Sequence, residues 1–317
     1  MAEGVLEMSF LYSVIKPIVR KKVKGSSLHQ EESYEEFKQA SYNIQSKFKF
    51  ELPKIKGIEF RDEQLDGFHI IIGKKVGCSP KKAVVYFPGG GSRRWQLPFK
   101  GSMKNYIEKT DAELWIPLYP LAPDYTLLDE AEFTVQMHKK MLGRFPAQNI
   151  VWLGFSAGAD LLLRAGRHII QKHNDVPMPG LMIPVSCSGL IISEESKQRM
   201  HELDSKDIML HWDMLDTMVK YYDPDGVLPE YILSKPHEDD YTGFPKTIMY
   251  FAGDEVFAGL APDYEKSFKR SGVKDYTIKI VPNMFHAWPV FTFVKEGRDG
   301  EQEIIDDING YFVKLKN

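Results

Sequence analysis

The sequence predicts an α/β protein, a mostly parallel twisted sheet with helices on both faces, and three observations carry that reading. Short apolar runs recur at Ala83–Phe87, Leu114–Leu118, Ile150–Leu153, Leu181–Val185, Thr247–Phe251 and Tyr276–Val281. Those at Ala83–Phe87 and Ile150–Leu153 have the length and continuity of strands buried on both faces. Between them lie stretches with apolar residues at helical spacing, and strand-helix alternation of this kind builds parallel sheets. Finally, 317 residues with 43% hydrophobic and 27% charged content bury one substantial core plus an elaboration.

Taken in order, residues 1 to about 50 read as helical and polar-rich. Phe10, Leu11, Val14, Ile15 and Ile18 followed by Arg20, Lys21, Lys22 and Lys24 form an amphipathic pattern. Lys16 interrupts the apolar run, which is too short to span a bilayer, so no stable membrane insertion is expected. This segment fits a helix packed over the body, with a membrane-surface helix as the alternative. Ile58–Phe60 and Phe68–Ile72 read as two strands joined around Asp66-Gly67, a turn dipeptide. Helices are expected at Met103–Lys109, 128–143, Ala159–Ile170, Asp263–Ser271 and Ile304–Val313. The alternation breaks at 194–240, a stretch rich in charge, Met and aromatics that reads as an inserted helical lobe.

The stretch around which the chain makes sense is 149–168. A buried-type strand runs into Gly154-Phe155-Ser156-Ala157-Gly158, and a helix follows at once. A serine on a very sharp strand-to-helix turn needs small neighbours two residues away, and Gly154 and Gly158 meet that need. Acyl transfer by serine further requires a base, an acid to orient it, and donors for the oxyanion. His286 is the histidine on a loop after the last apparent strand, placing it third in the order serine, acid, histidine. Asp254 and Glu255 both directly follow the Thr247–Phe251 strand, and either carboxylate could hold the imidazole. The strand at Ala83–Phe87 ends in Pro88-Gly89-Gly90-Gly91, whose amides, with that of Ala157, could surround an oxyanion.

Other classes find little support. A net charge of −3 gives no electrostatic case for nucleic acid. Two cysteines, Cys78 and Cys187, make no disulfide framework, and reduced thiols in a cytoplasmic protein are the expectation. A homodimer stays open.

The ordered motifs resemble the hormone-sensitive-lipase-like esterases of the α/β-hydrolase superfamily. They are PGGGS at Pro88 to Ser92, YPLAPD at Tyr119 to Asp124, GFSAGAD at Gly154 to Asp160, GDEVF at Gly253 to Phe257 and MFHAW at Met284 to Trp288. The resemblance implies a serine carboxylesterase without a metal or organic cofactor, with Ser156 as nucleophile and His286 as general base. Met209, Trp212, Met218 and Tyr222 of the 194–240 segment could line an apolar pocket of limited depth, and the expected partner is a small-molecule ester with a short to medium acyl chain. In that family the acid lies two residues before a large apolar side chain. Phe257 takes that place, which points to Glu255 over Asp254. The family's glycine donors correspond to Gly90 and Gly91, with Ala157. Segment 1–50 and insertion 194–240 would then cap a catalytic domain over 51–317. Two departures stand out: the family's histidine before the three glycines is Pro88 here, and a glutamate as the acid is a less common choice. A peptidase or amidase on the same scaffold, and a catalytically silent small-ligand-binding member, are the alternatives.

Overall fold

The computed structural model describes residues 8–24 and 33–315. The parts of the expected helical segment at 1–7 and 25–32 lie outside the described residues.

Eight strands form one sheet: β1 (Ile58–Leu65), β2 (Phe68–Lys75), β3 (Ala83–Phe87), β4 (Glu113–Pro117), β5 (Ile150–Phe155), β6 (Leu181–Val185), β7 (Lys246–Ala252) and β8 (Tyr276–Val281). Their spatial order is β1-β2-β4-β3-β5-β6-β7-β8. β1 and β2 make a hairpin, β2 runs antiparallel to β4, and every later pairing is parallel. The hairpin turn places Asp66 at φ 50° and Gly67 at φ 85°, the positive angles that let a two-residue loop follow the strand twist.

β3, β4, β5, β6 and β7 are buried almost throughout, which is why they read as continuous apolar runs. One apolar cluster covers each face of the sheet. The helices are α1 (Phe10–Lys22), α2 (Tyr34–Gln45), α3 (Lys100–Thr110), α4 (Leu127–Leu142), α5 (Ala157–Lys172), α6 (Glu194–Leu203), α7 (Met214–Tyr222), α8 (Ala261–Arg270) and α9 (Lys295–Lys314). Several start where the sequence offers a cap: Ser33 with Glu36 and Thr126 with Asp129 each form a reciprocal capping box. Among the described residues no helix is long and apolar enough to cross a membrane.

The strand order locates the site. From β3 the chain goes through α3 to β4 on one side, then returns through α4 to β5 on the other. The connections therefore diverge between β3 and β5, and a crevice opens at their carboxyl ends. β3 delivers Pro88 and the glycines there, and β5 delivers Ser156 beside them, with Phe87 paired to Gly154.

Segments from outside the sheet close over that crevice. Phe37 of α2 stacks on Tyr221 of α7 at 4.8 Å between ring centroids. Tyr12 of α1 is fully buried and stacks on Phe285 at 5.1 Å. The 194–240 segment divides its packing: α7 faces the crevice, whereas α6 lies against the helical turn at Val256–Leu260, with Ser196 Oγ donating to Asp263 at 2.6 Å.

Candidate active site

Ser156 sits on the turn between β5 and α5 with φ 53° and ψ −125°, outside the regions a side-chain-bearing residue normally occupies. The crowding at this turn accounts for the flanking glycines. A Cβ on Gly158 would lie 2.2 Å from the Phe87 carbonyl oxygen, and one on Gly154 would lie 2.3 Å from the Gly158 oxygen. The Ser156 N–H donates to the Val185 oxygen at 2.9 Å, tying the turn to the end of β6.

Three side chains from three loops meet here. Ser156 Oγ lies 2.9 Å from His286 Nε2, and His286 Nδ1 lies 2.7 Å from Glu255 Oε2. Glu255 is wholly buried, and its other oxygen accepts the Ala252 N–H at 2.8 Å. With Oε1 occupied by a backbone donor, Oε2 faces an imidazole N–H. Asp254, the neighbouring candidate, turns the other way. Its carboxylate pairs with Lys16 of α1 at 2.7 Å, so of the two acids only Glu255 reaches the histidine.

Burial pushes the His286 imidazole down, but the hydrogen bond and charge of Glu255 outweigh it, and the pKa stands above its ordinary value. Burial raises Glu255 in turn, against the lowering effect of His286. A hydroxyl facing an imidazole whose far nitrogen rests on a buried carboxylate is arranged to give up its proton.

The glycine loop lies alongside. Gly89 approaches so closely that a Cβ there would stand 2.8 Å from the Phe155 oxygen and 3.2 Å from the Ser156 Cβ. Gly90 and Gly91 adopt φ 125° and 64°. Among the described residues the N–H groups of Gly90, Gly91 and Ala157 donate to no protein acceptor. The loop is pinned through its carbonyls instead. Tyr119 Oη donates to Pro88 O at 2.6 Å, Gln96 N to Gly89 O at 2.9 Å, and the Tyr222 hydroxyl to Gly91 O. Pro88 thus has a tyrosine holding its carbonyl.

Further residues that sequence reasoning did not single out support these loops. Asp207 accepts from the N–H groups of Met209, Leu210 and Val256, joining the cap segment to the loop that carries Glu255. Ser186 Oγ accepts the Ala287 N–H at 3.0 Å, fixing the residue after His286. Asp160 accepts both Ser188 N and Ser188 Oγ. Ser186 follows β6 directly, Asp160 lies in the first turn of α5 and Asp207 follows α6, and the partner that gives each its role lies far along the chain.

The hydroxyl opens onto a cavity of about 160 Å³, room for on the order of ten water molecules. Its walls are mostly apolar, with Phe155 and Phe257 from the body and Met209, Met214, Met218 and Tyr222 from the cap. Trp212, expected to share that wall, packs edge-on against His201. Among the described residues, one cluster has a metal-ligand composition: Glu132, His168 and His173, whose ligand atoms lie within 4.8 Å of one another. Hydrogen bonds already join its members, and Lys139 Nζ stands 3.2 Å from His173 Nδ1; none of the four lines the cavity.

A family model described as the alpha/beta hydrolase fold matches residues 84–290, well over half of the chain. The chain belongs to the α/β-hydrolase fold family. This α/β-hydrolase is 22% identical over 219 residues to an esterase of Acinetobacter venetianus, covering 68% of the chain and 71% of that relative. Among solved structures it is similar to the EstE5 structure soaked with ethyl alcohol, at TM-score 0.76 and 20% identity, over 96% of this chain and 99% of that one. It is similar also to a hormone-sensitive lipase from a metagenome library, at TM-score 0.72 and 20% identity, over 95% and 98%. A third is a putative esterase from Staphylococcus aureus, at TM-score 0.71 and 18% identity, over 87% and 92%. At such identities the structural likeness establishes the fold.

Proposed function

We propose that this α/β-hydrolase is a serine carboxylesterase acting on short to medium acyl chains. The observation that carries the reading is the unbroken relay from Ser156 Oγ through His286 to Glu255, set beside undonated amides at the foot of an apolar cavity. The curated relative and the structural neighbours, named as esterases and lipases, support the same class.

In the proposed mechanism His286 Nε2 takes the Ser156 proton as Oγ bonds the acyl carbon. The carbonyl oxygen becomes an oxyanion and accepts hydrogen bonds from Ala157 and from Gly90 and Gly91, with Gly89 letting the loop come close. Losing one such donor costs about 3 kcal/mol of transition-state stabilisation. His286 then gives its proton to the departing alkoxide, and the acyl group stays on Ser156. A water, deprotonated by the same nitrogen, attacks that ester, and the acid departs as Ser156 Oγ takes the proton back from His286. Glu255 holds Nδ1–H throughout and stabilises the transient imidazolium.

Cavity size is the basis for the acyl-chain preference. Hydrolysis of p-nitrophenyl esters from acetate to laurate tests both parts of the proposal. The rate should peak among the shorter chains and vanish in Ser156→Ala. Equal rates in the two proteins would end the esterase reading, and a maximum at laurate would end the chain-length reading.

A further inference from the structure

The first helix carries apolar side chains on two faces. Its inner face, Tyr12, Ile15 and Val19, packs onto the core beneath it. The outer face presents Phe10, Leu11, Val14 and Ile18, with relative exposures of 85%, 49%, 41% and 50%. At roughly 100° per residue those four side chains fall in one stripe that adjoins the inner three, its centre turned about 120° from theirs. A helix resting on a protein body needs one apolar stripe; the second is left over among the described residues.

The charges carried by the helix itself all have one sign. The helix FLYSVIKPIVRKK contains no acidic residue, and its last turn holds Arg20, Lys21 and Lys22, all exposed. Lys16 is already paired with Asp254. Among the described residues no ion pair engages the three cations of the last turn. A second copy of the chain would bring an identical basic turn to the contact, whereas an anionic surface would neutralise it. Thirteen residues are too few to span a bilayer but suffice to lie on one.

We propose that α1 docks this protein reversibly on an anionic phospholipid surface. Phe10, Leu11, Val14 and Ile18 enter the acyl-headgroup boundary, and Arg20, Lys21 and Lys22 meet the lipid phosphates. The docking helix adjoins the cavity, since Val23 just past its end lines the wall. Its Tyr12 also accepts the Phe285 N–H at 2.9 Å, beside His286. The surface-bound protein therefore holds the cavity rim within one helix length of the lipid.

Sedimentation with vesicles tests this, using phosphatidylcholine alone and phosphatidylcholine mixed with phosphatidylglycerol. The full chain should bind the mixed vesicles at least tenfold more tightly than the neutral ones, and less tightly as salt is raised. Phe10→Asp with Ile18→Asp should weaken binding to mixed vesicles at least tenfold. Arg20→Gln, Lys21→Gln and Lys22→Gln together should abolish the preference for phosphatidylglycerol. These residues are exposed, so thermal melts of both variants should match the parent. Vesicle binding equal in parent and variants, or absent in the parent, overturns the proposal. So does a dimer, measured by light scattering, that the Phe10→Asp and Ile18→Asp changes dissociate in the absence of lipid binding. Ser156→Ala should bind vesicles as the parent does, so this test stands or falls independently of ester hydrolysis.

Discussion

Replacing Glu255 by Gln tests how the imidazole is oriented. The two carboxylate oxygens have different partners: Oε1 accepts the Ala252 N–H at 2.8 Å and Oε2 faces His286 Nδ1 at 2.7 Å. A glutamine must keep its oxygen toward the fixed backbone donor, because its NH2 group there would set donor against donor. The NH2 group then points at Nδ1, which must become an acceptor, and the ring proton moves to Nε2. That proton faces Ser156 Oγ at 2.9 Å, where the proposed base needs a lone pair. The wrong tautomer in a triad of this kind costs about 10⁴ in kcat, or about 5 kcal/mol. Steady-state hydrolysis of p-nitrophenyl butyrate measures it, with fluorophosphonate labelling to count folded sites. Asp254→Asn is the matched control. It loses only the pair with Lys16, whose two side chains are 19% and 17% exposed, and no contact with His286, so its kcat should stay within about threefold of the parent. A Glu255→Gln enzyme within tenfold of the parent, or an Asp254→Asn enzyme that falls as far, would refute the reasoning.

Two further outcomes follow from other parts of the structure. Tyr222→Phe removes the hydroxyl that grips the Gly91 carbonyl; kcat for p-nitrophenyl butyrate should fall about tenfold, roughly 1.4 kcal/mol, with KM little changed. An unchanged kcat would mean that the loop keeps its shape without that contact. His138, fully buried between Trp152 and the Pro177 carbonyl, is held by burial down to about 4, against 6.5 in an open chain. As pH falls from 6.5 to 4 the unfolded chain takes up a proton that the folded one refuses, so stability declines on acidification, by about 3 kcal/mol across the window. Urea unfolding at pH 7, 5 and 4 should show this decline reduced in His138→Gln, and identical pH slopes in the two proteins would contradict it.

The fold was legible where burial is uniform. Ala83–Phe87 and Leu181–Val185 match β3 and β6 end for end, because a strand in a covered parallel sheet leaves a solid apolar run; Tyr276–Val281 matches β8 as well, although that edge strand is only partly buried. β1 was legible only at Ile58–Phe60. Its remainder, Arg61 to Gln64, lies on the sheet edge with its polar side chains half exposed, so the alternation that marks a strand is absent. The first half of α9 also carries no helical signal. The positions it turns inward include Gly297 and Gly300, where a Cβ would stand 2.2 Å from the Phe291 oxygen and 2.5 Å from Trp288 Nε1. A helix that packs through glycine shows no apolar stripe.

The same distinction runs through the site. Ser156 and its flanking glycines were legible because the turn's steric demand is local. The residues alone left the choice between Asp254 and Glu255 open, because two adjacent carboxylates after one strand look alike. What separates them in space is Lys16, 238 positions away in the chain, which pairs with the first and leaves the second to the imidazole. The grips of Tyr119 and Tyr222 on the glycine loop are likewise contacts between distant segments. An aromatic residue with a helical or loop neighbourhood carries no mark of the carbonyl it will meet.

Peptide mapping by mass spectrometry after exposure to a fluorophosphonate tests the central claim most directly, since the probe bonds only to a serine whose proton a neighbouring base withdraws. The account predicts a single stoichiometric adduct on the peptide containing Ser156. It should be absent in Ser156→Ala and slowed by orders of magnitude in His286→Asn. An unlabelled parent protein, or an adduct that persists in Ser156→Ala, would contradict it.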